Sequence, residues 1–111
     1  MIYLASPYTH RDPAIRQARF EAACRAAGAI LRSGEQVFSP IAHSHPIAEL
    51  CELPKAFDWW QPHNLAWLNR CNSLVVLRID GWDRSAGVRV ETEHAKAAGK
   101  LVMYMAEVTD D

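Results

Sequence analysis

Leu74-Val75-Val76-Leu77 leads through Arg78-Ile79-Asp80 into Gly81-Trp82-Asp83-Arg84-Ser85-Ala86-Gly87-Val88-Arg89-Val90-Glu91, and no other stretch says as much about the fold. The apolar run reads as a strand. From Ser85 onward the chain reads as a helix to about Ala98, with Gly99 marking its end. Ser85 is a good helix N-cap. Gly87 allows a close backbone approach one turn into the helix. Glu91 shares a stripe with Gly87, Ala95 and Ala98, by the three-to-four residue spacing of helix neighbours. Burying a carboxylate on a stripe of small residues is costly without a purpose. Helical side chains lean toward the N-terminus. Glu91 therefore leans toward the loop carrying Ser85, the end at which α/β sheets bind ligands.

On either side of this segment, strand and helix signals alternate. Met1 to Ala5 reads as a strand. Asp12-Pro13 is a helix start, with Asp as cap and Pro at the first helical position. That helix runs through Ile15, Ala18, Ala22, Ala26 and Ile30 and stops before Gly34. Gln36 to Phe38 is a second strand. Ser39 to Pro46 reads as a loop, followed by a short helical piece over Ile47 to Leu53 that Pro54 breaks. A further helix is expected over Asp58 to Arg70, with Trp60, Asn64, Trp67, Leu68 and Cys71 inward. Pro62 is tolerable only near its start. Ser73 to Leu77 and Leu101 to Met105 are the last two strands, and the acidic tail is expected to fray. Strands alternating with helices imply a parallel sheet covered on both faces. The expected fold is a small doubly wound, flavodoxin-like or Rossmann-like sheet of about four strands, built with right-handed crossovers. Its crevice would take Ser6 to Tyr8, Ser39 to His45, Asp80 to Ser85, and Glu91.

With 111 residues, half of them hydrophobic, the chain has room for one domain, residues 1–111, and one packed core. A net charge of −1 argues against a general nucleic-acid or anionic-membrane surface. No apolar run approaches the ~18 residues of a membrane span. The first residues lack a basic segment and are too short for a signal peptide. Cys24, Cys51 and Cys71 are an odd number without close spacing, which suggests buried thiols in a reducing compartment and a cytoplasmic protein. Cys71 reads as structural.

The strand, Gly81-Trp82, Ser85-Ala86-Gly87 and the following Glu91 together resemble the nucleoside 2-deoxyribosyltransferase-like superfamily, and within it the small DUF1937-type branch. Ile2-Tyr3-Leu4-Ala5-Ser6-Pro7-Tyr8 is similar to that family's first strand and loop, and Ser44-His45-Pro46 to a segment of the small branch. The resemblance covers nearly the whole chain as a single domain. It implies that Glu91 is a catalytic nucleophile. It also implies that Ser85, six residues earlier, holds the nucleoside or its phosphate. A substrate-contacting Tyr in the first strand is implied at Tyr3. The resemblance also implies a homo-oligomer, because relatives often complete the site from a neighbouring subunit. An Asp that aids the leaving base in relatives matches Asn64 here, which can donate a hydrogen bond but cannot act as a general acid. Asp58 substitutes, or the substrate's base leaves readily, or catalysis is lost and binding kept.

The other expected site residues are placed by position. Tyr8, just past the strand end, can reach a ligand and joins Glu91 and Asn64 as the catalytic set. Ser6, His45 and Asp80 line the crevice, and Trp82 lies over it where it could stack on a base. Ser85 and the helix start offer N–H donors to a phosphate. His43 and His45 fall on one side of an extended segment. A metal would need further ligands, such as His10, His63 or Cys51, and no spacing supports one. Neither metal nor cofactor is expected. By contrast Glu93, on a face with Arg89 and Ala97, reads as solvated.

Cleaving an N-glycosidic bond builds positive charge on the sugar. A carboxylate beneath the anomeric carbon stabilises that charge or bonds to it. The expected function is N-glycosidic cleavage or base transfer on a small nucleoside or nucleotide, with hydrolysis preferred because so short a chain has little material for a second base site. The alternatives are a non-catalytic nucleotide-binding sensor or regulatory module, and an interaction protein assembling through its tryptophans.

Overall fold

Residues 1–109 are described by a computed structural model of the chain. The expected fraying at Asp110 and Asp111 lies outside them. The elements run β1 (Ile2–Ala5), α1 (Pro13–Arg32), β2 (Val37–Phe38), α2 (Pro40–Cys51), α3 (Phe57–Asn69), β3 (Ser73–Leu77), a 3-10 turn (Trp82–Arg84), α4 (Ala86–Ala97) and β4 (Leu101–Met105). The strands form one sheet in the order β2-β1-β3-β4. Every pairing is parallel, with Ile2 opposite Ser73 and Ala5 opposite Val76. This is the expected doubly wound α/β fold. The chain crosses to one side of β1 to build β2 and to the other to build β3 and β4. The switch point therefore lies between the C-terminal ends of β1 and β3, where such sheets open a crevice.

The strand period of two divides the core. Tyr3, Ala5, Leu74 and Val76 pack with Leu68, Cys71, Val88 and Ala95, beneath α3 and α4. Ile2, Leu4, Val75 and Leu77 pack with Ala22 and Ala26 of α1 on the opposite face. Tyr8, Ala23 and Ile41 form a smaller cluster with Phe20, where α1 meets α2. Cys71 is buried, as expected, but Cys24 and Cys51 are exposed, because both sit on solvent-facing positions of α1 and α2.

The local signals hold at most helix starts. The Asp12 carboxylate accepts from the Ala14 N–H at 2.9 Å, with Pro13 opening α1. Ser85 accepts from Val88 N–H at 3.2 Å and caps α4. The chief departure is Ser39 to Pro46, expected as a loop. It is the first half of α2. Ser39 Oγ accepts from Ala42 N–H at 3.1 Å and Pro40 takes the first helical position, so the cap and proline of α1 recur here. Pro46 sits inside this helix, where it forgoes one backbone donor. The helix ends at Glu52 in a left-handed conformation, φ 54°, and not at Pro54. With this segment helical, His43 and His45 no longer share a side, because residues two apart on a helix point in nearly opposite directions.

Candidate functional site

At the C-terminal ends of β1 and β3 lies a cavity of about 500 Å³. Five segments supply most of its wall. Ser6 and Tyr8 come from the loop after β1, and Ile41 and Ser44 from α2. Phe57, Trp60 and Asn64 come from α3. The loop after β3 brings Asp80, Gly81 and Arg84, and α4 brings Ser85, Gly87 and Glu91.

Glu91 is only 8% exposed. Burial pushes its carboxyl up from 4.5 to about 7, and a hydrogen bond from Tyr3 pulls in the opposite direction. The Tyr3 hydroxyl donates to Glu91 Oε2 at 2.5 Å. Tyr3 has no exposed surface, and burial, followed by the Glu91 charge, raises its phenol well above the usual range. The phenol therefore stays protonated and keeps one carboxylate oxygen engaged. Tyr3 is not the ligand contact that the resemblance implies. Its ring lies in the sheet core and reaches the site through Glu91.

Tyr8 lines the cavity and is backed by His45. The Tyr8 hydroxyl lies 2.6 Å from His45 Nδ1, and His45 Nε2 lies 2.9 Å from Gln17 Oε1. Gln17 Oε1 only accepts, so His45 Nε2 carries the hydrogen. Burial lowers the imidazole's pKa, favouring the neutral ring. Nδ1 then accepts from Tyr8, and the phenol oxygen has lone pairs left for a cavity donor. His45 stacks on Phe20 with ring centres 4.4 Å apart. It does not line the crevice as expected but sits behind it, as support for Tyr8.

Two buried polar atoms on the cavity wall have no hydrogen-bond partner, Ser6 Oγ and Asn64 Oδ1. An unsatisfied buried polar atom costs about 1–3 kcal/mol. A ligand in the cavity would relieve both. Asn64 holds its expected place, since α3 turns Asn64 and Leu68 inward. Asp58 does not substitute for it: its side chain is exposed and accepts from its neighbour Trp59 N–H. Gly87 opens onto the cavity, and a Cβ there would meet Phe57 at an ordinary 3.5 Å. Packing against the protein therefore does not demand glycine at that position.

Trp82 is a correction. It does not cover the crevice. Gly81 adopts φ 93° and the chain turns outward, so Trp82 packs edge-on to Tyr104 of β4 at 5.7 Å. The Arg78 guanidinium lies over its ring at 5.9 Å. Together with Val88 and Arg89, Trp82 lines a second, shallower cleft of about 300 Å³. Asp80 remains at the cavity but points its carboxylate into solvent, 3.4 Å from Arg84.

Sequence reasoning misses the cations. Arg19 reaches the cavity from α1, donating to the Thr9 carbonyl at 3.0 Å and the Asp80 carbonyl at 3.3 Å. Lys55 and Arg84 also line it. Arg84 stands inside the motif loop and is legible there. Nothing in the α1 sequence marks Arg19, because its partners lie in other loops.

A parallel four-stranded sheet with a buried carboxylate at its switch-point cavity defines a small doubly wound α/β domain with a polar site. The chain belongs to the family described as "Domain of unknown function (DUF1937)", whose pattern matches residues 1–107. No curated protein matches it. Among the described residues, no helix is long and apolar enough to cross a membrane.

Proposed function

We propose that the chain cleaves the N-glycosidic bond of a nucleoside or nucleotide, or transfers its sugar to another base, with Glu91 as nucleophile. The observation that carries this reading is the buried Glu91 carboxylate on the cavity wall, with Oε2 held by Tyr3. The other oxygen, Oε1, bonds to the anomeric carbon as the carbon–nitrogen bond breaks. The base departs with that electron pair and takes up a proton from water. A water molecule then bonds to the anomeric carbon, releases a proton to solvent and frees the carboxylate. A second base in place of the water gives transfer. Tyr8 accepts a hydrogen bond from the ligand, and Asn64 and Ser6 bind its polar edges. The resemblance to nucleoside 2-deoxyribosyltransferase-like proteins supports this assignment. In this reading copies of the chain assemble as a cytoplasmic homo-oligomer.

One observation favours a second reading, a non-catalytic nucleotide-binding sensor or regulatory module. Asn64 takes the place of an acid, and the cavity's other carboxylate, Asp80, points into solvent. The experiment that separates the two is a screen of deoxynucleosides and their 5′-monophosphates for released base by chromatography. Base release that disappears in Glu91→Gln supports the enzyme. Saturable binding without release supports the sensor. Neither binding nor release would sink both.

A further inference from the structure

Behind the cavity wall, four side chains form one hydrogen-bonded line from solvent to the Tyr8 phenol. Gln17 Nε2 lies 3.0 Å from Glu21 Oε2, one turn further along α1. Gln17 Oε1 lies 2.9 Å from His45 Nε2, and His45 Nδ1 lies 2.6 Å from the Tyr8 hydroxyl. A carboxylate only accepts, so the Gln17 amide nitrogen faces Glu21 and its oxygen faces His45. That oxygen also only accepts, so His45 Nε2 carries the hydrogen and Nδ1 the lone pair. The Tyr8 hydrogen then points at Nδ1, and the phenol oxygen keeps its lone pairs for the cavity. One exposed carboxylate sets the direction of every hydrogen in the line. Burial leads in holding the His45 imidazole below its usual range; Glu49 pulls it up, and Lys55 and Arg16 pull it down. Burial raises the Tyr8 phenol, against Arg16. Near neutral pH the ring is therefore uncharged and the phenol protonated.

We propose that Tyr8 takes the proton from the attacking water, and that His45 takes the Tyr8 proton in the same movement. The proposal rests on the reading of Glu91 as a nucleophile that forms a glycosyl intermediate. The water oxygen bonds to the anomeric carbon, and the bond from that carbon to Glu91 Oε1 breaks, its electron pair returning to the carboxylate. The water proton passes to the Tyr8 oxygen while the Tyr8 proton passes to His45 Nδ1. The imidazolium keeps its Nε2–H on Gln17 Oε1, with the Glu21 carboxylate beyond. Once the product leaves, the same path returns the proton to solvent. Tyr8 is the catalytic residue here, and His45 and Gln17 act through it as positioning residues. The other titratable groups described on the cavity wall suit this step less well. Arg19, Lys55 and Arg84 are cations, and the Asp80 carboxylate points into solvent. His10 Nδ1 accepts from the Asp12 N–H at 3.0 Å, so in the neutral ring its other nitrogen carries a hydrogen.

Two measurements test this. The first needs no turnover: nitrogen NMR of histidine-labelled protein at mildly alkaline pH, with the His45 signal assigned by its loss in His45→Gln. The ring should be the Nε2–H tautomer. An Nδ1–H tautomer would reverse the line and overturn the proposal. The second is rapid-quench kinetics on deoxynucleosides and their 5′-monophosphates. Tyr8→Phe and His45→Gln should each release about one equivalent of base in a burst. A sugar adduct on Glu91 should then appear by intact-protein mass spectrometry, and steady turnover should fall by roughly a hundredfold or more. Sodium azide, an anion with no proton to lose, should restore base release in both variants by forming the glycosyl azide, and should change the wild type little. A burst lost together with the steady rate, or azide without effect, would overturn the relay and leave Glu91 as nucleophile. Wild-type protein that releases no base from any of these substrates would remove the Glu91 reading itself, and the relay with it.

Discussion

Glu91 sets activity and stability against each other. Its carboxyl is raised by burial from 4.5 to about 7 in the folded chain. The folded state therefore holds a proton that the unfolded state releases. The stability linked to this group is fully present below about 4.5 and is lost as pH rises through about 7, a difference on the order of 3 kcal/mol. Nucleophilic attack needs the ionised form, so turnover should climb through about pH 7 as stability declines. Glu91→Gln should abolish turnover by roughly two or more orders of magnitude and remove this part of the pH dependence of the melting temperature. Relative to wild type the variant should be more stable at pH 8 than at pH 5. Exposed Glu93→Gln is the matched control and should change neither. A second prediction isolates the support. Tyr3→Phe removes the donor that favours the carboxylate, so the acidic limb of the rate profile should move to higher pH while the fold is kept. A profile that does not move would mean that Tyr3 is only core packing.

Among the elements, α4 depends on its start. Ser85→Ala removes the acceptor for the Val88 N–H and should cost about 0.5–2 kcal/mol in chemical denaturation. Gly81 has a different reason for being small. Its φ of 93° disfavours any side chain, and a Cβ there would sit 2.5 Å from Arg19 Nη2. Gly81→Ala should cost about 1–2 kcal/mol for the left-handed backbone. It should also displace Arg19 from the Asp80 carbonyl, a change visible as weakened binding of anionic ligands. The start of α2 carries the same signature as the start of α1, a capping oxygen followed by proline. Pro46 and a run of Ser and His with no apolar period obscure it. The packing of Ile41 against Tyr8, Ala23 and Phe20 supplies what intrinsic propensity lacks, which is the usual source of helical stability in proteins.

Over the molecule as a body, charge is nearly balanced at −1, yet Arg19, Lys55 and Arg84 gather around one cavity. The start of α4 adds its backbone donors, of which Ser85 already takes one. A 5′-monophosphate should therefore bind more tightly than its nucleoside. The gap should narrow as ionic strength rises, because partly exposed charges are screened. Arg19→Gln should narrow it further at low salt. Equal calorimetric affinities for the two ligands would remove the phosphate from the reading and leave Glu91 untouched.

Features that depend on near neighbours were legible in the order of residues alone. Caps at Asp12 and Ser85, the apolar run at Leu74 to Leu77, and the glycine after α4 are local signals. They place the elements along the chain and turn Glu91 and Asn64 inward. A doubly wound sheet has its crevice at the switch point, so the cavity and its central carboxylate could be read before any contact was known. Pairings between distant residues needed the folded chain. Tyr3 and Glu91 are 88 residues apart, Tyr8 and His45 are 37 apart, and Arg19 reaches a carbonyl 61 residues away. Trp82 packs on Tyr104 and not over the crevice because β4 offers a ring beside it. A residue type states what a side chain could do, but burial and partner geometry select which of those it does, and both arise only when the chain closes on itself.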